Sequence, residues 1–130
     1  MSLSCIPIRE ALRYKEKAIR HITFDDENCL NVYIQGKDFV YAVVKFRDPI
    51  GFRILNERDL GEFWDEYSQK NTWLYEVKSG GWLDLEKKRN TFISNRMVSE
   101  LKEYFLADEY CISVFSEHNP EIICMGGDIE

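Results

Sequence analysis

Histidine is scarce in this chain. His21 and His118 are the only two in 130 residues, so a His-based triad or metal centre has few components to draw on. No apolar run approaches the ~20 residues that a membrane-spanning helix needs, and no signal-peptide pattern opens the sequence. The cysteines Cys5, Cys29, Cys111 and Cys124 lie far apart, with no C-x-x-C pair. Free, buried thiols in a reducing cytoplasm fit that spacing better than zinc or a disulfide framework. Nucleophile-elbow, phosphate-loop, dinucleotide and H-E-x-x-H motifs are missing, so no catalytic residue, metal or cofactor is expected. Gly80-Gly81 lacks the Lys-Ser/Thr and following helix of a phosphate cradle and reads as a turn.

Apolar residues, by contrast, are plentiful. A composition of 45% hydrophobic and 14% aromatic residues argues against disorder. One domain over 1–130 can bury roughly two-thirds of its unfolded surface without staples. Residues 1–18 read as a helical or frayed N-terminal arm, with Pro7 in the first turn of the helix. The net charge is −6 and unevenly placed. Residues 1–55 hold nine basic and seven acidic side chains, and residues 56–130 hold eight and sixteen. An acidic half repels phosphate backbones, which disfavours nucleic acid and favours a basic protein partner.

The stretch Asn56 to Tyr67 dominates the expected architecture. Leu60, Phe63, Trp64 and Tyr67 share one helical stripe, with Asn56 as N-cap and Asp59 completing a short capping box. Before it, Ile22 and Phe24 alternate into a DDEN turn, and Cys29–Gln35 reads as a strand. A Gly36-Lys37 turn would set Ile34 opposite Phe39, Val32 opposite Tyr41 and Leu30 opposite Val43, placing this hairpin centrally in the sheet. Ile50, Phe52 and Ile54 form the next strand.

After the helix, TWLYEVKSGGWLDLE reads as a hairpin with Val77 opposite Leu83 and Tyr75 opposite Leu85. That register turns Leu74 and Trp82 onto a charged face beside Glu76, Lys78, Asp84 and Glu86. A short helix from Ser94, a hairpin turning at Asp108-Glu109, an Asn119-Pro120 turn and a last edge strand complete the chain. The expected fold is α+β: a curved antiparallel sheet of successive hairpins with two or three helices packed on it.

Two clusters invite a functional reading. His21 with Asp25 and Asp26 suggests a metal or acid–base group, but strand alternation separates the two aspartates. The second is a docking surface in which Trp82 and Leu74 anchor a partner and Glu57, Glu62, Asp65, Glu66, Glu76 and Asp84 complement its basic charge. A ligand-binding domain or small enzyme with a cleft between helix and sheet is the alternative, using His21 or Cys111. A homodimer joined through strand edges is a third.

The succession FRILNERDLGEFW, WLYEVKSGGWLDLEKKR and EYFLADEYCISVF with NPEI resembles small acidic bacterial proteins of the immunity-protein type. It spans about residues 43–123 and carries over no functional residue. What the resemblance implies is a stoichiometric protein partner, such as a toxin neutralised by occlusion.

Overall fold

The computed structural model describes residues 4–7, 18–35, 40–61, 73–97 and 100–125. These form nine strands: β1 (Ser4–Pro7), β2 (Ala18–Phe24), β3 (Cys29–Gln35), β4 (Val40–Arg47), β5 (Gly51–Asn56), β6 (Leu74–Ser79), β7 (Lys102–Leu106), β8 (Tyr110–Ser116) and β9 (Glu121–Cys124). One sheet has the order β1-β6-β7-β8-β5 and the other β2-β3-β4-β9. Every described strand pair is antiparallel.

The expected α+β fold with two or three packed helices is not what forms. Helical structure among the described residues comprises a 3-10 turn (Glu57–Asp59), the single residue Gly61, α1 (Trp82–Lys87) and α2 (Ser94–Met97). The core is built by sheet on sheet instead. Leu30, Val32 and Ile34 of β3 and Ala42, Val44 and Phe46 of β4 meet Leu74, Tyr104, Leu106, Ile112 and Val114 of the five-stranded sheet. Each of these is at most 1% exposed, and the Phe46 and Tyr104 rings lie 5.8 Å apart. Burying two alternating faces against each other removes more apolar surface from water than short helices could cover.

The five-stranded sheet is covered on its outer face as well. Leu55, Leu60, Tyr75, Val77, Phe105, Ala107 and Cys111 form one cluster there. Trp82, Leu83, Phe92, Leu101 and Phe115 form another. Burial on both faces explains why β8 reads as a near-continuous apolar run and why Glu103 to Leu106 of β7 are all buried.

Three further expectations change. Ser4–Pro7 is a strand on the edge of β6, where a proline is tolerated, and not the start of a helix. Residues 8–17 lie outside the described residues. The β3–β4 register is Leu30↔Phe46, Val32↔Val44 and Ile34↔Ala42, which turns Ala42, Val44 and Phe46 inward and sets Val43 beside Tyr33. The hairpin is nevertheless central, flanked by β2 and β9.

The third change concerns residues 82–87, which are helix and not the second arm of a hairpin. β6 pairs with β1 and β7, so both its edges are taken. Trp82–Lys87 contains no β-branched residue, and the Trp82 and Leu83 N–H groups donate to the Glu103 carboxylate at 3.1 and 2.9 Å.

The Asn56 cap forms, accepting from the Arg58 N–H at 3.1 Å. It caps a 3-10 turn closed by Leu60 N–H to the Glu57 carbonyl at 3.0 Å. Gly61 is helical, and the rest of the expected helix, with Phe63, Trp64 and Tyr67, lies outside the described residues. The later expectations hold: β7 and β8 turn at Asp108-Glu109, and β9 is an edge strand.

Candidate functional site

Of the sequence-predicted docking residues, the structure brings few together. Leu74 and Trp82 occupy opposite faces of the same sheet. Leu74 is fully buried between the sheets and has no surface to offer a partner. Trp82 is half-buried on the outer face, its ring 4.5 Å from that of Phe115 and 5.1 Å from the Arg53 guanidinium carbon. Its indole N–H donates to Glu86 at 3.2 Å. Stacking, a cation–π contact and a hydrogen bond together hold this indole as part of the structure.

The acids are also dispersed. Glu76 pairs with Lys78 at 3.0 Å. Asp84 accepts from the Gly80 N–H at 2.6 Å, fixing the turn into α1. Glu62, Asp65 and Glu66 lie outside the described residues. Glu57 is exposed.

His21 is exposed, with its ring 4.8 Å from that of Tyr33. Asp25 is engaged in the β2–β3 turn, where Oδ1 accepts from the Glu27 and Cys29 N–H groups at 3.0 Å each and Oδ2 from Asn31 at 3.1 Å. These bonds, led by that from Cys29, hold its carboxyl below the ordinary value of 3.8. Among the described residues, no group of three His, Cys, Asp or Glu is placed to hold a metal. No described helix is long and apolar enough to cross a membrane.

A buried charge organises the outer face. Glu103 is 2% exposed, and desolvation pushes its carboxyl above the ordinary 4.5. The N–H groups of Leu83 and Trp82 and the nearby Arg53 charge oppose that shift.

At one end of the β5–β8 ladder, the fold assembles a surface that the linear order conceals. The Glu57 N–H donates to the Glu109 carbonyl at 2.9 Å, tying the 3-10 turn to the β7–β8 turn. Glu57, Asp59 and Glu109 are exposed there, and Asp108 is partly so. Asn56 pairs with Tyr110, which is 54% exposed, and the neighbouring Ile54 is 43% exposed. Across from β5, on β2 of the other sheet, Phe24 is 52% exposed with its ring 5.4 Å from Phe52. Sequence reasoning found Glu57 and missed Tyr110, Ile54 and Glu109. The missed signal was an apolar residue at a strand position that the sheet leaves uncovered, which only topology reveals.

Carboxylates around an uncovered tyrosine and isoleucine have the make-up of a protein-contact surface, with apolar anchors inside a polar rim. No protein-family profile, curated protein or solved structure matches the chain.

Proposed function

We propose that the chain is a protein-binding module of the immunity-protein type, acting in the cytoplasm by covering a basic surface of a toxin-like partner. The observation that carries this reading is the meeting of Glu57, Asp59 and Glu109 beside the uncovered Tyr110 and Ile54. The carboxylates steer a cationic partner by long-range attraction, which acts mainly on the association rate. Desolvation of the tyrosine ring then slows dissociation. Occlusion asks for no catalytic group, and His21, Asp25 and Asp26 near β2 serve turn and surface roles.

The test is co-expression with the product of the neighbouring gene, followed by binding kinetics on the purified pair. Tyr110→Ala is expected to weaken the complex by about tenfold or more, mainly through faster dissociation. Glu57→Lys combined with Glu109→Lys is expected to slow association and flatten its salt dependence. A complex indifferent to both changes would overturn the assignment of this surface.

A further inference from the structure

Among the described residues, four strands form the sheet edges: β1, β5, β2 and β9. Exposed edges are templates for pairing with another chain, and natural sheets blunt them by shortness, proline, charge or bulges. β1 has four residues and ends in Pro7. β2 carries an irregularity between Ile19 and His21, and the Ile19 N–H is already given to Asp108 at 2.8 Å. β9 has four residues and begins with Glu121, bridged to Arg47. β5 has six residues, pairs with β8 without a register shift, and contains neither proline nor lysine. Its one charged side chain, Arg53, lies against the Trp82 ring.

The hydrogen-bond phase of β5 follows from its end. Glu57 donates to Glu109 on the ladder that continues through Leu55↔Cys111, Arg53↔Ser113 and Gly51↔Phe115. Alternate residues of an antiparallel edge strand point their N–H and C=O groups outward, so the outward set is Phe52, Ile54 and Asn56. Beside this row stand the exposed side chains of Ile54, Phe24 and Ile50.

From this we infer that β5 pairs with β5 of a second copy of the chain, joining two five-stranded sheets across a two-fold axis. An outward residue must face an outward residue, which leaves two central registers. One centres on Arg53 and sets two guanidinium side chains directly opposite each other, an unfavourable cross-strand pair. The other centres on Ile54: Ile54 faces its own copy, Phe52 faces Asn56, and Arg53 faces the apolar Leu55. The second register leaves no like charges opposed and forms about four backbone hydrogen bonds, the Asn56 carbonyl being taken by its 3-10 turn. A foreign strand would have to supply that match, whereas the second copy has it by symmetry. This inference goes beyond partner binding at the acidic end: the pairing covers Ile54, so in the dimer partner binding falls to Tyr110 and the carboxylates. The solution mass tests the pairing without a partner, whereas Tyr110→Ala tests the partner surface without changing β5.

The experiment is the solution mass over a concentration series. Twice the 15.4 kDa chain mass is expected, shifting towards the monomer on dilution. Ile54→Lys should weaken association at least tenfold, whereas Ile123→Lys, at a comparably exposed position on the edge strand β9 of the other sheet, should not. Under oxidation, Ile54→Cys should form an interchain disulfide, because residues facing each other in a hydrogen-bonded pair have Cα atoms about 5.5 Å apart. Amide exchange at Phe52, Ile54 and Asn56 should slow as concentration rises. A monomer at every concentration, or a dimer that Ile54→Lys leaves intact and Ile54→Cys fails to crosslink, would overturn the pairing.

Discussion

Glu103 shows how one buried carboxylate sets a local structure. It receives two N–H groups from the start of α1 and leaves no room for a side chain at Gly81. A Cβ there would stand 2.7 and 2.8 Å from the two carboxylate oxygens and 2.8 Å from Val77. Gly81→Ala is therefore expected to destabilise the protein by about 1–3 kcal/mol in urea unfolding, because both neighbours are packed and one is a bound anion. The same group makes stability depend on pH. Its folded pKa lies above its ordinary value of 4.5, so the folded state binds more protons in the interval between the two. Its contribution to stability is thus greatest below 4.5 and declines as pH rises through the folded pKa. Glu103→Gln should remove that component from a stability–pH series. Tyr104 behaves alike at the alkaline end. Burial, reinforced by Glu76 and Glu100, raises its phenol from 10.0 to about 12, and its O–H donates to Asn119 at 2.8 Å. An ultraviolet titration should show a late phenolate step that Tyr104→Phe abolishes.

At the scale of elements, the β2–β3 turn is the clearest local device. Asn28 sits at φ 60°, and Asp25 gathers three donors. Asp25→Ala should lower the midpoint of denaturant unfolding, because it removes the acceptor that gathers these donors at a turn that sets the β2–β3 register. This turn was legible because its residues are adjacent and its chemistry local. The β3–β4 register was not. Ala42, Val44 and Phe46 on one face of β4 and Val43 on the other are all buried, so a slip that exchanges the faces leaves the pattern equally apolar. Trp82–Lys87 misled for a related reason. Leu83 and Leu85 alternate as a strand would, yet Leu83 is buried while Leu85 is 53% exposed on a helix. The partner that caps this helix, Glu103, lies twenty residues away. The acidic end was illegible in the same sense: Glu57 meets Glu109 only once β5 pairs with β8.

For the molecule as a whole, the decisive fact is that two sheets share one core, whereas the sequence suggested one sheet under helices. Stability should then be common to both sheets, because residues from each complete the other's packing. Leu74 offers the sharpest test, since as a surface anchor it would matter to binding and as a core residue to folding. It is 0% exposed between β3, β4 and the five-stranded sheet. Leu74→Ala is expected to cost about 2–5 kcal/mol, because the removed methyl groups leave a cavity that two packed sheets can close only in part. Unfolding followed by tryptophan fluorescence and by far-ultraviolet circular dichroism should remain one coincident transition with a lower midpoint. Separate transitions for the two probes would mean that the sheets do not fold as one unit. An unchanged midpoint would place Leu74 outside the core and reopen its role at a docking surface.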